Sequence, residues 1–331
     1  MRPIFYRIAG RAKSAIVGIT RLSIDDQFVT RPPSPQHALD IFKGEWLSAL
    51  PSPLERCEAG ALPLFGDPRL QWAVDRLGGV QGAHVLELGP LEGGHTWMLE
   101  QMGAASVIAV EASTRAYLKC LTVKELTGMT RARFLCGDSV GYLRERGEAA
   151  MAAAAGSVAA AASASATAGA PAAASAQSNN AGRFDVAVAS GILYHLTNPV
   201  ELLAQLAAHA DRLFLWTRYF DDEMVKRRPK LAARFAPPRL TTHAGFAHAL
   251  HPYHYRSTRF GRSFSGGTAS HAAWLTRDTI LSALRAFGFD RIETSFEEPD
   301  HENGPAFALV ATRAADSRAA NSIAAPPQPA G

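Results

Sequence analysis

The chain predicts an α/β protein: a mostly parallel seven-stranded sheet with helices on both faces, closed at one edge by an antiparallel hairpin. Three patterns carry this expectation. Short apolar runs alternate with helical stretches of the length that right-handed βαβ crossovers require. One run, 84–88, feeds a glycine-rich turn, Gly89-Pro90-Leu91-Glu92-Gly93-Gly94, that leads straight into a helix at Thr96. Two final runs, 291–296 and 306–312, are joined by a connection too short for a crossover, so they must pair antiparallel.

Each element has a local reason. Residues 1–30 carry Arg2, Arg7, Arg11, Lys13 and Arg21 among Ile4, Phe5, Ile8 and Ile16, and read as a loosely packed basic arm rather than a membrane-surface segment. Pro32-Pro33-Ser34-Pro35 is a linker. Within 36–66, Leu39, Phe42, Trp46 and Leu47 fall at helical spacing, so this segment is expected to pack as a cap, with Lys43 and Trp46 placed to meet a ligand. Asp67 and Pro68 open a helix to Leu77 that Gly78-Gly79 closes. Strands follow at 83–88, 106–110 and 134–136, with a helix over 114–126 capped by Ser113 and a short helix from Ser139.

Residues 149–181 are nearly all Ala, Ser and Gly, and read as a disordered insertion that helix formation enters only briefly at 150–155. The pattern resumes with a strand over 184–189, a helix from Pro199 to Ala210 capped by Asn198, and a strand over 213–216. A helix over 276–287 ends at Gly288, the hairpin follows, and 314–331 forms a small polar tail expected to be disordered. The expected organisation is thus an arm and cap (1–66), one catalytic domain (67–313) and the tail.

Composition narrows the function. The three cysteines, Cys57, Cys120 and Cys136, form no CxxC pair, which argues against a structural zinc or a disulfide framework and for a reducing cytoplasm. Runs such as 184–193 are too short to span a bilayer, and no leader with a long apolar core and cleavage site is apparent, so secretion is not expected. The net charge of +4 is concentrated: residues 221–272 hold nine Lys/Arg against three acids, a balance that favours an anionic partner. Five histidines there (His243, His248, His251, His254, His271) lack companion cysteines, so no metal site is expected.

The stretch from Glu87 to Gly93 resembles the first motif of the class I S-adenosylmethionine (SAM)-dependent methyltransferases, with Glu87, Gly89 and Gly93 in the motif positions and Leu91 in place of the middle glycine. The resemblance covers roughly 67–147 and 182–313, and includes the terminal hairpin. The fold it implies is the Rossmann-like class I methyltransferase sheet, and the cofactor it implies is SAM. The spacing Gly89-x3-Gly93 also fails the GxGxxG fingerprint of nicotinamide-dependent oxidoreductases. Gly191-Ile192-Leu193-Tyr194-His195-Leu196-x-x-Pro199 is most similar to the branch containing the carboxy-SAM tRNA wobble-uridine modifying enzymes and uncharacterised relatives, whose N-terminal halves do not match here.

In an open parallel sheet, ligands bind beyond the carboxyl ends of the strands. The resemblance then places the cofactor on Glu87, Gly89, Gly93 and Gly94 (methionyl part), Glu111 and Ala112 (ribose), Asp138 and Ser139 (adenine), and Ser190 and Gly191 (sulfonium side). His195 and Tyr194 follow the fourth strand as catalytic candidates, a base being needed only for a protonated acceptor. The basic, aromatic segment 221–272 reads as a substrate lid, with Arg256, Arg259, Arg262 and Tyr253 as acceptor-binding candidates. The expected acceptor is a small anionic metabolite or an envelope or natural-product intermediate. RNA is the second acceptor class, DNA is not expected, and a non-catalytic SAM-binding protein is the other alternative.

Overall fold

The computed structural model describes residues 28–164, 183–255, 267 and 269–314. The basic arm to residue 27, the Ala/Ser-rich stretch 165–182, the tail from 315 and the three arginines Arg256, Arg259 and Arg262 lie outside the described residues.

The cap begins with α1 (Pro35–Asp40), where the Ser34 side chain accepts from the His37 N–H. The expected longer helix does not form: the chain turns after Asp40, and the positive φ of Gly44 reverses it. Leu39, Phe42 and Trp46 are buried as expected, but Leu47 is exposed, because the last of these positions no longer lies on a helical face. Lys43 pairs with Glu58 at the surface and Trp46 donates to the Leu39 carbonyl, so neither turns to the sheet edge as a ligand contact. Leu39, Phe42, Trp46, Leu50 and Leu54 form a core with Phe134, Cys120 and Val123 instead.

The main domain follows the expected alternation: α2 (Pro68–Arg76), β1 (His84–Leu88), α3 (Gly94–Gln101), β2 (Ser106–Glu111), α4 (Thr114–Thr127), β3 (Ala132–Cys136), α5 (Ser139–Ala164), β4 (Val186–Ser190), α6 (Pro199–His209) and β5 (Arg212–Arg218). Asp67 and Ser113 cap their helices as read from the sequence, accepting from Arg69 and Ala116 N–H groups. Asn198 occupies its cap position but makes no capping bond. Helix α5 departs from expectation: it runs on to Ala164, since alanine propagates a helix already nucleated at Ser139.

After β5 the chain builds the insertion: α7 (Asp222–Lys226), α8 (Pro229–Ala232), and an antiparallel sheet of β6 (Arg239–His243), β7 (Phe246–His254) and β8 (His271–Trp274). This small sheet is not foreseen from sequence, because its strands mix polar and apolar residues without clean alternation. α9 (Arg277–Ala286), β9 (Arg291–Glu298) and β10 (Ala306–Thr312) complete the domain.

The main sheet has the order β3-β2-β1-β4-β5-β10-β9, with β10 antiparallel to both neighbours and the rest of the pairs parallel. Successive residues of β1 face opposite layers. Leu86 and Leu88 enter the layer with α6 and α9, while Val85 enters the layer with α2 and α3. Glu87, two residues on from Val85, is therefore turned to the α2–α3 side. The chain runs outward from β1 to β3 and then returns to β4, so the strand order reverses between β1 and β4, where such sheets form a crevice.

One buried carboxylate ties the cap to this crevice. Glu92, in the middle of the glycine turn, accepts from the Ser48 N–H at 2.8 Å, the Leu47 N–H at 3.0 Å and Lys119 Nζ at 2.9 Å. Glu92→Ala leaves Lys119 and two amides without their partner, and should lower unfolding free energy by about 3 kcal/mol or more in urea titrations; an unchanged midpoint would show that the cap is held by its apolar contacts alone.

Candidate functional site

At the carboxyl edge, backbone register brings the expected positions together. Glu111 pairs with Cys136, Leu88 with Ala189 and Ser190 with Trp216, so Glu111, Gly89 and Ser190 end their strands side by side. The Gly89 N–H donates to Val110 O, and its φ of +72° turns the chain out of the sheet. A Cβ on Gly89 would lie 3.8 Å from Ile192, across the crevice. Gly93, with φ +81°, starts α3 and offers no side chain to cap it, which leaves the first-turn N–H groups of that helix uncovered by any capping group.

Leu91 carries the departure from the glycine motif, and it takes a left-handed φ of +56°, the conformation a glycine would adopt there. Its N–H is held by the Glu111 carboxylate at 3.1 Å and its carbonyl faces Cys120 Sγ at 3.5 Å. Gly94 has a packing role beside the cofactor contact expected of it. A Cβ there would lie 2.6 Å from Leu64 O, so this glycine serves the close approach of the cap's Leu64–Gly66 turn to α3.

Glu87 and Glu111 are both buried, and the Glu111 charge lies close enough to disfavour that of Glu87. Burial raises the Glu87 carboxyl above its ordinary range, and Glu111 adds to this, while His95 and the Thr96 hydroxyl bond oppose it. Burial also raises Glu111, against the N–H groups of Ser113, Leu91 and Ala112. Asp138 stands one strand further out and is exposed, with one oxygen accepting from the Gly141 N–H at 2.6 Å. It is placed as the cap of α5, with Ser139 buried behind it. The structure thus joins Glu87, Glu111 and the glycine turn, and sets Asp138 at the same edge but in water.

A second network adjoins the first. Asp67 accepts from His95 at 2.9 Å and from Arg69 through both oxygens. Burial alone would raise this carboxyl, but the His95 and Arg69 bonds outweigh it and hold it well below the usual carboxylate range. The Arg69 guanidinium lies 4.6 Å from the Trp216 ring centroid. The sequence marked Asp67 only as a cap; that His95 follows the turn directly was the available signal.

On the β4 side, Gly191 has φ +83°, and a Cβ there would lie 3.6 Å from the Tyr194 hydroxyl and 3.8 Å from Trp216. Tyr194 is buried, with Trp216 and Trp274 each at 6.0 Å and the Arg218 guanidinium at 4.6 Å from its ring. Burial pushes its phenol up, with Arg218 and Arg69 opposing. His195 Nδ1 lies 3.0 Å from the Tyr255 hydroxyl, and burial together with the Arg218 charge pushes the imidazole down to about 3, so the ring is neutral at physiological pH. Burial pushes the Tyr255 phenol up to about 12. The insertion is fastened here as well, Ala273 N–H donating to Leu196 O at 2.7 Å. Tyr253 stacks on Trp274 at 5.0 Å beside Phe235, part of the aromatic wall of the insertion.

The histidines of the insertion are dispersed. His251 stacks on Phe220 at 3.7 Å, and His248 bonds the Phe246 carbonyl. Among the described residues no three His, Cys, Asp or Glu side chains converge as a metal site. No helix among them is long and apolar enough to cross a membrane. A separate hollow of about 590 Å³ lies beside the N-terminus of α9, where Asp221 and Asp222 are engaged by the Met224 N–H and Lys226.

No protein-family model matches this chain, and no curated protein does. Solved structures do. The N-terminal domain of EvdMO1 with S-adenosylhomocysteine (SAH) bound superposes with a TM-score of 0.56 at 19% identity, covering 84% of this chain and 95% of that one. The same domain in the presence of SAH and D-fucose gives 0.55 at 20%, with the same coverage. Magnesium protoporphyrin IX methyltransferase from Synechocystis PCC 6803, with bound SAH, is more distant, at 0.43 and 15% over 74% of this chain and 80% of that one. The likeness to the EvdMO1 domain establishes the Rossmann-like fold of this chain.

The Asp67 pairing has a pH signature. With its folded carboxyl below the ordinary 3.8, its contribution to stability is complete above pH 3.8 and is lost as pH falls below that value. The stability difference between wild type and Asp67→Asn, from urea titrations, should therefore be constant from neutral pH down to that point and shrink below it. A difference that does not vary with pH would show that Asp67 is not held ionised by His95 and Arg69.

Proposed function

We propose that this chain transfers a methyl group from SAM to a small, anionic acceptor. One observation carries the reading: two buried carboxylates, Glu87 and Glu111, flank a left-handed turn and an uncapped helix start where the strand order reverses. Each carboxyl is raised by burial, and a cation or hydroxyl donors brought to it would favour its ionised form. An adenosyl sulfonium bearing an amine and a ribose supplies both. The fold is shared with the N-terminal domain of EvdMO1, which was crystallised with SAH and D-fucose.

In this reading, Glu87 and the first turn of α3 hold the amino-acid end, with Gly89 and Gly93 admitting it without Cβ obstruction. Glu111 and Ala112 receive the ribose hydroxyls; Asp138 and Ser139 face the adenine. Ser190 and Gly191 run along the sulfonium side. When bound, SAM supplies a methyl carbon already activated by positive sulfur, so displacement is in line and the protein's part is alignment and exclusion of water. Tyr194 and the insertion wall the acceptor side. His195, neutral and engaged through Nδ1 by Tyr255, can offer its other nitrogen to the acceptor as a hydrogen-bonding group. Burial and the Arg218 charge make it a weak base, which favours an acceptor nucleophile that needs no proton removed. The resemblance of 191–199 to the carboxy-SAM tRNA branch makes an RNA acceptor the second reading, and the cytoplasm is the expected compartment.

Three measurements test this. Incubation with methyl-labelled SAM and a cell extract should yield labelled product; label confined to a nuclease-sensitive fraction selects RNA, and no turnover with SAH binding intact selects a non-catalytic binder. Glu111→Ala should weaken SAH by more than tenfold in calorimetry, roughly 1.4 kcal/mol or more. Because Glu87 and Glu111 protonate above the ordinary carboxyl value of 4.5, wild-type affinity for SAH should begin to fall before that value is reached as pH is lowered from neutral, and less so in Glu87→Gln. Affinity that is flat with pH would exclude a charged contact with either group.

A further inference from the structure

Arg218 is the last residue of β5, a position no motif marks. Other arginines along the domain are matched by carboxylates: Arg69 by Asp67, Arg144 by Glu201, Arg183 by Asp211 and Arg277 by Glu297. Among the described residues no carboxylate pairs with Arg218 and no acceptor meets its Nε, which is sealed from water. The guanidinium rests on the face of Tyr194, 4.6 Å from the ring centroid, which supplies a quadrupole but no countercharge.

The groups around it are donors too. Trp216 and Trp274 both touch Tyr194 edge-on, both are buried, and neither indole N–H has a partner. His301, at 6.2 Å from Trp216, feels the Arg218 charge as repulsion, as does His195. Buried donors without acceptors are uncommon in native proteins, and each calls for a partner or a ligand. Here three lie on residues that adjoin one tyrosine, and that tyrosine in turn meets the open side of Gly191. An uncompensated guanidinium in such a place selects for an oxyanion, which its forked donors match in geometry as well as charge.

We propose that Arg218 anchors an oxyanion of the methyl acceptor, a carboxylate or a phosphate, against Tyr194 at the end of β5. This deepens the methyltransferase reading and rests on it for the word acceptor, though not for the anion site itself. It also locates the anionic preference on the main sheet rather than on Arg256, Arg259 and Arg262. Arg69 differs from Arg218 in that its charge is already matched by Asp67, so it shields Trp216 without adding a free cation.

The test uses the full chain and two probes, benzoate and inorganic phosphate, titrated to about 20 mM while tryptophan fluorescence is read, since Trp216 and Trp274 adjoin the site. Wild type should bind at least one probe; benzoate alone marks a carboxylate acceptor, phosphate alone a phosphorylated one. Arg218→Met should weaken that binding by about tenfold or more, and Arg218→Lys, which keeps the charge but loses the fork, should fall between. SAH calorimetry on the same samples separates the two ideas and reports folding: its affinity should change less than about twofold in both variants. Binding of neither probe, or equal binding by wild type and Arg218→Met, overturns the oxyanion site even where SAH binds. Absence of SAH heat in wild type overturns the methyltransferase reading, and Arg218-dependent probe binding then still upholds the oxyanion site.

Discussion

Glu92 has no access to water, and a carboxylate so placed must find its full complement of donors within the protein. It finds three donors in two separate parts of the chain: the backbone N–H groups of Leu47 and Ser48 in the cap, and Lys119 on α4. Lys119 in turn lies 5.4 Å from the Trp46 ring and donates to the Glu45 carbonyl. The residue that satisfies this charge therefore also fixes where the cap meets the sheet. Since Glu92 sits in the glycine turn, the same bonds set the path of the loop that opens the crevice.

That path is unfavourable by itself. A leucine at φ +56° costs about 1 kcal/mol relative to the right-handed regions, and the turn keeps it because its neighbours over-determine it. Glu111 holds the Leu91 N–H, Glu92 anchors the next residue, and Gly94 lets the cap's Leu64 carbonyl close from behind. The strain is concentrated at the point where the carboxylates of β1 and β2 come together, as is usual where a fold holds backbone in position for a ligand.

The two sides of the crevice differ in electrostatic character. The β1–β2 side is rich in acceptors, with two carboxyls raised by burial. The β4–β5 side is rich in donors: among the described residues Arg218 Nε and the indole N–H groups of Trp216 and Trp274 meet no acceptor, and His195 is held neutral. Asp67, His95 and Arg69 lie between the two and balance their own charges. Such a division suits the joining of a cationic donor molecule to an anionic acceptor, each side compensating the partner it would meet.

The alternation of strands and helices, the caps at Asp67 and Ser113, the closing hairpin and the acids at the ends of β1 and β2 were all legible in the chain, because each rests on local chemistry: periodicity, capping and loop length. Other features depended on distant residues and could not be read. Leu47 loses its buried face when α1 stops at Asp40; α5 continues because its alanines extend an existing helix; and the small sheet of the insertion forms only when its strands find one another. At Gly94 the sequence shows a glycine of the turn but not the carbonyl from thirty residues earlier that packs against it. Arg218 looked like any strand-end arginine, and only the folded chain shows that no carboxylate among the described residues comes to meet it. Sequence determines which groups stand at the edge of the sheet, because backbone geometry puts them there. Tertiary structure decides which of them remain unsatisfied, because desolvation and pairing are set by neighbours far away in the chain.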